Sequence, residues 1–290
     1  MGTYAVTGSA SGMGRSVVDI LVRDGHTVIG VDIKDADVVA DLSSPAGRRT
    51  AAKTVLERAG GVLDGAVLAA GLGPAPGRDR SRLIGQVNVL GVTDLLEAWR
   101  PALARADRAK VVVFASNSTT TVPLVPKRAV RALLEGDVER AVRVLRVYGR
   151  AAPTFAYAAS KIAVSQWVRG HAVTPGWAGE GIRLNALAPG AIMTPLLEQQ
   201  LATPAEAKRI RSFPVPIGGF GDADQLAAWV VFMLSDAADF LCGSVVFVDG
   251  GSDAWFRAAD WPRPVPARQL RRYVGRMKEF GAQRRASRTS

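Results

Sequence analysis

The opening stretch of the chain carries the pattern that most restricts its fold. A short apolar run over residues 3–6 is followed by a glycine-rich turn and then by a helical run over residues 16–23. The turn reads Thr7-Gly8-Ser9-Ala10-Ser11-Gly12-Met13-Gly14. Glycines here allow a tight turn and a close approach of the backbone, and the free N–H groups at the start of the helix attract a pyrophosphate. This order of strand, turn and helix predicts a dinucleotide site.

A second predicted strand, over residues 27–31, ends at Asp32. A carboxylate at this point accepts hydrogen bonds from the hydroxyls of a ribose and repels a 2′-phosphate. A glycine-rich turn alone is weak support for a dinucleotide site. A turn between a strand and a helix, with an acid after the next strand, is far more specific. The pattern therefore favours NAD as the cofactor.

Strand and helix patterns alternate along the rest of the chain. Further strands are predicted over residues 65–70, 110–115, 181–187 and 243–248, with a short third strand ending at Asp41-Leu42, and helices over residues 48–58, 83–100 and 224–234. This spacing is typical of βαβ units, so we expect an α/β fold with a doubly wound parallel sheet. Right-handed crossovers place its ligand cleft at the carboxyl ends of the strands. The residues that follow strands, and are therefore expected at the cleft, are Gly8, Asp32, Asp41, Gly71, Ser116 and Pro189.

Tyr157 and Lys161 lie four residues apart in a helical run. On a helix this spacing puts both side chains on one face, one turn apart. A free phenol has a pKa of about 10. We expect the ammonium to lower that pKa, which lets the Tyr exchange a proton with an alcohol or a carbonyl. Taken alone, the pair is also compatible with two neighbours on a helix surface, and only its place in the chain favours catalysis.

Residues 119–156 form an insert in this order of strands and helices. Apolar residues at Val130, Leu133, Leu134, Val138, Val142 and Leu145 predict two short amphipathic helices broken near Gly136. Two interpretations stay open, a structural hairpin and a wall over the substrate site. The segment over residues 196–221, which carries Pro, Gly and charges, is expected to be mobile over the same site. Apolar side chains that suit a hydrophobic substrate are Val122, Leu124, Met193, Leu196 and Leu197.

The composition excludes several classes of site. The 290 residues include two His and one Cys, Cys242, so we expect neither an internal disulfide nor a metal site. No basic leader precedes the first strand, and no apolar run reaches the roughly 18 residues that span a bilayer. We therefore expect a soluble cytoplasmic protein without a membrane span.

The net charge of +11 is concentrated near the C-terminus. From residue 252 onward there are ten Arg or Lys and three acidic residues, which leaves about +4 for the rest of the chain. We therefore expect a basic extension over residues 253–290 and no nucleic-acid partner for the rest. In the extension, Leu270, Tyr273, Val274, Met277 and Phe280 lie at helical spacing with Arg and Lys opposite. Such a helix either docks on its own body or a partner subunit, or binds an anionic surface.

Together these motifs resemble the short-chain dehydrogenase/reductase family over residues 3–251. The family's glycine motif falls on the turn above, its Tyr-x-x-x-Lys on Tyr157 and Lys161, and its Pro-Gly-x-x-x-Thr on the segment after residue 188. The resemblance implies a single Rossmann-type domain, residues 1–252, that binds NAD. The cofactor-binding residues that it implies are Gly8, Ser11, Gly12, Met13, Gly14, Asp32, Ile33, Asp41, Leu42, Ala70, Gly71, Tyr157, Lys161, Pro189, Gly190, Ile192 and Thr194. The catalytic residues that it implies are Asn88, Ser116, Tyr157 and Lys161.

Two departures from the family pattern narrow the resemblance. The usual Asn-Asn-Ala-Gly appears as Leu68-Ala69-Ala70-Gly71, so the side-chain hydrogen bonds of that motif are lost. Ser116 precedes Tyr157 by 41 residues, a far longer gap than the family's usual one. In the length of this gap the chain resembles the bacterial 3α-hydroxysteroid dehydrogenase/carbonyl reductases. Coniferyl-alcohol-type dehydrogenases share part of the pattern. Ser118 competes with Ser116 as the catalytic Ser, and Ser116 is favoured because it lies nearer the strand end.

The resemblance implies an NAD-dependent oxidoreductase that interconverts a hydrophobic secondary alcohol and its ketone, such as a 3α-hydroxysteroid. Ser116 and Tyr157 would bind the substrate oxygen, and Lys161 would lower the Tyr pKa and hold the nicotinamide ribose. Asn88 would hold a water of a proton relay. Two alternatives stay open: an aryl alcohol dehydrogenase, and a dinucleotide-binding protein whose basic tail binds an acidic partner. Members of the family associate through the helices that carry Asn88 and Tyr157, which implies a homodimer or homotetramer. The insert is expected to interrupt part of that packing.

Overall fold

The computed structural model describes residues 1–194, 197–198, 201–202, 204–260 and 265–286. The chain divides into two compact units, Met1–Trp255 and Phe256–Ser290. The first unit contains the whole sheet. Within the described residues, no helix is long and apolar enough to cross a membrane.

The first unit is built on one parallel sheet of seven strands. The strands are β1 (Thr3–Thr7), β2 (Thr27–Asp32), β3 (Val38–Val39), β4 (Gly65–Leu68), β5 (Lys110–Phe114), β6 (Arg183–Pro189) and β7 (Val245–Val248). Their order across the sheet is β3-β2-β1-β4-β5-β6-β7, and every neighbouring pair is parallel. The direction of winding reverses between β1 and β4, where two loops leave the sheet on opposite sides and open a crevice. The predicted doubly wound parallel sheet is confirmed.

Helices cover both faces of this sheet. They are α1 (Gly12–Arg23), α2 (Pro45–Arg58), α3 (Arg80–Gly85), α4 (Gly91–Ala104), α5 (Ser118–Thr121), α6 (Lys127–Leu134), α7 (Val138–Leu145), α8 (Ala152–His171), α9 (Pro204–Arg211), α10 (Ala223–Leu234) and α11 (Ser252–Arg257). Helices α1 and α10 pack together on one face, and the larger core between α2, α4, α8 and the sheet fills the other. The central strands β4 and β5 are buried along their whole length, which explains why they read as unbroken apolar runs.

The prediction for the third strand was wrong in detail. The strand ends at Val39, and Asp41-Leu42 belongs to the turn that starts α2. The Asp41 carboxylate accepts hydrogen bonds from the N–H and hydroxyl of Ser43, at 2.8 Å each, so a local turn replaces strand pairing. Ser44 then caps α2 by accepting from the N–H of Gly47, and the helix begins three residues earlier than predicted.

The insert forms the two predicted helices, α6 and α7, and Gly136 separates them with a φ of 76°. Asp137 caps α7 by accepting from the N–H of Arg140. Both helices pack on α3 and the long helix α8. The packing is close at Gly85, where a Cβ would lie 2.8 Å from Val138 Cγ1. The insert is therefore a packed hairpin on the outside of the helix layer, which favours the structural interpretation.

The predicted long helix over residues 83–100 is interrupted. A π-helical turn, Gln86–Leu90, lies between α3 and α4. Such turns widen a helix by one residue and often occur at functional sites. The turn carries Asn88, whose side chain is turned inward and 1% exposed. Sequence periodicity does not detect a single extra residue in a helix, so this turn was not predicted.

The second unit consists mainly of one helix, α12 (Leu270–Ala286). This helix lies over the stretch for which an amphipathic helix was predicted. Leu270, Tyr273 and Phe280 are all more than half exposed. The Pro-rich stretch that precedes the helix lies partly outside the described residues, since residues 261–264 are not among them.

Candidate active site

The glycine-rich turn lies at the carboxyl end of β1, between β2 and β4. Gly8 has a φ of 70°, and its N–H donates to the Val31 carbonyl at 2.8 Å. A Cβ on Gly8 would lie 2.8 Å from the backbone N of Ala70, and a Cβ on Gly14 would lie 2.1 Å from the carbonyl oxygen of Gly8. Side chains are excluded at both places, so the backbone folds tightly and leaves the start of α1 open to a ligand.

The segment after β4 lacks the polar side chains of the usual Asn-Asn-Ala-Gly motif, and hydrogen bonds with Thr7 hold it in place instead. The Thr7 hydroxyl accepts a hydrogen bond from the N–H of Ala70 at 3.1 Å, and the Thr7 carbonyl accepts from the N–H of Ala69 at 3.2 Å. Leu68 is 1% exposed and fills the core. The polar side chains of the usual motif are thus replaced by packing and by one hydroxyl, and the chain still passes close to the glycine turn.

Asp32 lies at the end of β2 and faces the glycine turn. One carboxylate oxygen accepts from the N–H of Ala10 at 3.0 Å, and the other accepts from the N–H of Ile33 at 2.7 Å. Two cations near it in the sequence are paired elsewhere, Arg15 with Asp19 and Lys34 with Asp35. The structure therefore holds the Asp32 carboxylate beside the glycine turn.

A buried arginine next to this region was missed by sequence reasoning. Arg48 is 5% exposed, and its guanidinium donates to Asp94 at 2.7 Å, to the Leu42 carbonyl at 3.0 Å and to the Gln86 side chain at 3.0 Å. These bonds connect α2, the π-helical turn and α4. The partners are 38 and 46 residues away along the chain, so no local pattern links them. Leu42, whose carbonyl accepts one of these bonds, is buried, while the neighbouring Asp41 is exposed.

The predicted catalytic pair lies where β5 meets α8. Lys161 Nζ donates to the Phe114 carbonyl at 2.7 Å, and it lies 5.8 Å from the centroid of the Tyr157 ring. Hydrogen bonding by the Ser116 side chain lowers the pKa of Tyr157, which places this hydroxyl near the phenol. The structure therefore brings Ser116, Tyr157 and Lys161 together, as the sequence predicted.

The expected effect of Lys161 on Tyr157 is not found. Burial raises the pKa of Tyr157 above its ordinary value, and the one opposing influence is the hydrogen bond with Ser116. Burial also lowers the pKa of Lys161, to about 8. The ammonium is directed at the Phe114 carbonyl, so the expectation that it lowers the pKa of Tyr157 was wrong. At neutral pH Lys161 still carries its charge, because its pKa lies above 7.

Asn88 connects the loop after β4 to the catalytic helix. Its amide oxygen accepts from the N–H of Leu72 at 2.7 Å, and its amide nitrogen donates to the Leu72 carbonyl at 3.0 Å and to Ser160 Oγ at 3.2 Å. Ser160 in turn donates to the Tyr157 carbonyl at 2.7 Å. The loop turns at Gly71, where a Cβ would lie 3.4 Å from Asn88 Oδ1 and 3.7 Å from Lys161 Nζ. The side chain of Asn88 is therefore fully used in positioning the backbone around the catalytic pair.

The two candidate serines have different partners. Ser116 Oγ accepts from the N–H of Ser118 at 3.1 Å in addition to its bond with Tyr157. The Ser118 hydroxyl is buried and has no hydrogen-bond partner within the described part of the chain. Ser116 is favoured, because hydrogen bonding by its side chain lowers the pKa of Tyr157.

The segment after β6 closes the groove from the other side. The Pro189 carbonyl accepts from the N–H of Asn117, and Gly190 lies against Asp249, where a Cβ would come within 2.7 Å of Asp249 Cα. Ile192 pairs with Gly221, which fixes the course of the segment. Thr194 then faces the glycine turn, since a Cβ on Gly12 would lie 3.4 Å from Thr194 Cγ2.

These surfaces fit a dinucleotide. A pyrophosphate binds to a tight glycine turn and an open helix start, and a ribose binds to a carboxylate such as that of Asp32. Thr194 lies on the other side of the same groove. The predicted cofactor-binding residues Ser11, Met13, Ile33 and Ala70 lie on the same edge of the sheet as the glycines. Among the described residues, no cluster of His, Cys, Asp or Glu could hold a metal ion.

The apolar residues expected around the substrate are only partly inside. Leu197 is 9% exposed, and Val122 and Met193 are half-buried. Leu124 is 88% exposed with a φ of 57°, so its contact with a substrate stays a prediction. A turn between α5 and α6 directs it outward, which apolar composition does not reveal. Leu196 lies outside the described residues.

Comparison with known proteins gives consistent matches. A family model described as enoyl-(acyl carrier protein) reductase matches residues 141–253. The 3-alpha-hydroxysteroid dehydrogenase/carbonyl reductase of Comamonas testosteroni is 35% identical over 260 residues, which are 89% of this chain and 98% of that protein. The coniferyl-alcohol dehydrogenase of a Pseudomonas strain is 30% identical over 85% of this chain and 94% of its own length.

A solved structure matches over the same range. The 3-alpha-hydroxysteroid dehydrogenase from Pseudomonas sp. B-0831, complexed with NADH, superposes with a TM-score of 0.82 and is 43% identical. The match covers 89% of this chain and 99% of that one.

Asn88 and Asn185 allow a test of the positioning role, because both are 1% exposed and both hold backbone groups. Asn185 donates to the Leu241 carbonyl and accepts from the N–H of Ser244, away from the catalytic pair. Asn88→Ala and Asn185→Ala should each lower the free energy of unfolding by about 2–4 kcal/mol, since unpaired buried groups cost about 1–3 kcal/mol each. Only Asn88→Ala should also lower alcohol turnover more than tenfold in assays below the unfolding range. Equal turnover in the two variants would contradict the assignment.

Proposed function

Because the chain belongs to the short-chain dehydrogenase/reductase family and is an oxidoreductase of alcohols and carbonyl compounds, we propose that it uses NAD to interconvert a hydrophobic secondary alcohol and its ketone. The observation that carries the proposal is the meeting of Ser116, Tyr157 and Lys161 where β5 and α8 adjoin the glycine turn. A phenol, a hydroxyl and a cation in this arrangement can bind an oxygen and exchange one proton with it.

In alcohol oxidation, Ser116 and Tyr157 hold the substrate oxygen between their hydroxyls. Tyr157 accepts the hydroxyl proton, and Ser116 stabilises the phenolate through the hydrogen bond that already lowers the pKa of Tyr157. Lys161 keeps the site positively charged below about pH 8 and binds the nicotinamide ribose. The bound nicotinamide supplies the hydride chemistry. In carbonyl reduction Tyr157 returns the proton to the same oxygen.

Asp32 supports NAD over NADP. Its carboxylate is held toward the turn by Ala10, and two cations nearby in the sequence are already paired with acids. A 2′-phosphate placed there would meet a negative charge without a compensating cation. The similar Pseudomonas sp. B-0831 structure, which contains NADH, points in the same direction.

A ring-bearing secondary alcohol, such as a 3α-hydroxysteroid, is the substrate class that we propose. The matched hydroxysteroid dehydrogenases from Comamonas and Pseudomonas support it, as do the half-buried apolar side chains of Val122 and Met193 near the groove. The match to a coniferyl-alcohol dehydrogenase supports a second candidate, an aryl alcohol.

We also propose that the protein is a homo-oligomer that associates through α10 and β7. The helices first expected at the interface are covered, since α6 and α7 pack on α3 and α8. On the other side of the sheet, Trp229 and Phe232 of α10 are about half exposed, and Phe240 is fully exposed before β7. Exposed aromatic side chains on one face are typical of protein interfaces.

The cofactor and substrate proposals are tested by following NADH or NADPH formation with a panel of hydroxysteroids and aryl alcohols. We expect turnover of a 3α-hydroxysteroid with NAD. Asp32→Ala should shift the ratio of kcat/KM for NADP over NAD upward by tenfold or more, because a charge repulsion of about 1.4 kcal/mol equals a factor of ten. Asp107→Ala, at the opposite end of the sheet, is the control and should leave the ratio unchanged. Preference for NADP in the unmodified protein would contradict the cofactor assignment.

The role of Ser116 is tested by the pH dependence of alcohol oxidation. A raised pKa means that Tyr157 holds its proton to higher pH, so kcat/KM should increase with pH up to the pKa. Ser116→Ala removes the bond that lowers this pKa and should move the rising limb to higher pH, with turnover reduced about 100-fold. Ser118→Ala, which removes a hydroxyl that does not reach the phenol, should leave the limb in place. A shift in Ser118→Ala alone would assign the catalytic hydroxyl to Ser118.

A further inference from the structure

The second unit, Phe256–Ser290, has a charge unlike that of the rest of the chain. Its Lys and Arg residues are Arg257, Arg263, Arg268, Arg271, Arg272, Arg276, Lys278, Arg284, Arg285 and Arg288, and its acidic residues are Asp260 and Glu279. This unit of 35 residues therefore holds eight of the eleven net positive charges. So strong a concentration of one sign predicts attraction to an anionic surface.

Helix α12 adds an apolar face to this charge. Leu270, Tyr273, Val274 and Phe280 follow the helical repeat, with Tyr273 and Val274 three and four residues after Leu270 and Phe280 seven after Tyr273, so they share one side of the helix. Their exposed fractions are 58%, 51%, 42% and 62%. These four exposed apolar side chains form a stripe along one helix face, and the exposure of such a stripe to water is energetically unfavourable.

Cations border the stripe on both sides. Arg271 and Lys278, seven residues apart, lie beside Val274 on one flank, and Arg272 and Arg276 lie on the other. No salt bridge within the described residues engages any of these four side chains. Their charges are therefore available to a ligand outside the chain.

The comparisons with known proteins do not cover the whole of this chain. The family match ends at residue 253. The relatives from Comamonas and Pseudomonas use 98% and 99% of their own length to match 89% of this chain. These proteins leave about 11% of this chain unmatched, and the second unit follows the end of the family match.

We propose that α12 binds the surface of a membrane that contains anionic lipids, with its axis in the plane of the interface. Leu270, Tyr273 and Phe280 enter the boundary between headgroups and acyl chains, and the flanking cations contact lipid phosphates. A nucleic acid would use the cations but would leave the apolar stripe in water, so the stripe favours lipid. Contact with a bilayer would also bring the enzyme to hydrophobic alcohols dissolved there, a benefit that rests on the proposed function, whereas the binding itself does not.

The proposal is tested by sedimenting the full-length protein with vesicles of phosphatidylcholine alone or with 30% phosphatidylserine. We expect binding to the anionic vesicles, weak binding to the neutral ones, and a loss on raising the salt from about 0.1 to 0.5 M because exposed charges are screened. Arg272→Gln with Arg276→Gln should weaken binding about 25-fold, since each cation contributes about fivefold. Phe280→Ser with Tyr273→Ser should weaken it at least tenfold.

Two controls keep the result interpretable. Val147→Ser removes an exposed apolar side chain from the first unit and should leave vesicle binding unchanged. Thermal unfolding and NAD binding, measured on every variant, report whether the first unit is intact and are independent of the tail. No binding of the unmodified protein to anionic vesicles would overturn the proposal. A second outcome would also overturn it: the variant without both aromatic residues still binds the vesicles, and the protein is retained equally on double-stranded DNA. That outcome would assign the tail to polyanions in general.

Discussion

The active site depends on one buried hydrogen bond, from Lys161 Nζ to the Phe114 carbonyl. It joins the last residue of β5 to the middle of α8 and determines where the catalytic helix meets the sheet. A charged amine this deeply buried is costly, and the fall of its pKa to about 8 shows the cost. This costly cation lies beside Tyr157, the phenol for which we propose the proton transfer. Such a conflict between stability and position is typical of a functional site.

The surroundings of this bond are fixed by backbone contacts more than by side chains. Asn88 holds both backbone groups of Leu72 and also reaches Ser160 on the catalytic helix. Its inward direction follows from the π-helical turn in which it lies. Gly8 and Gly14 let the first turn close so tightly that no side chain would fit. The groove is therefore preorganised before any ligand binds, which is what positioning a small reacting group requires.

Much of this arrangement could be predicted from the sequence, because strongly periodic elements and strand ends leave clear signals. The doubly wound parallel sheet and the two helices of the insert followed from local pattern, and the family resemblance implied the grouping of Ser116, Tyr157 and Lys161. The π-helical turn and the network of Arg48 could not be predicted, since one is a single extra residue and the other joins distant positions. The pKa of Tyr157 also escaped prediction, because spacing on a helix does not reveal burial or the direction in which Lys161 points.

The central claim is that Tyr157 is the proton acceptor for a substrate oxygen. The most direct measurement compares NAD binding and alcohol oxidation in Tyr157→Phe, with Tyr148→Phe in the insert as a control that removes the hydroxyl from a ring packed at a tilt against Phe155. The account predicts that Tyr157→Phe binds NAD normally and loses turnover by at least 100-fold, the usual worth of a general base being about 100- to 10,000-fold. Tyr148→Phe should keep both properties. Turnover retained in a Tyr157→Phe protein that still binds NAD would contradict the account.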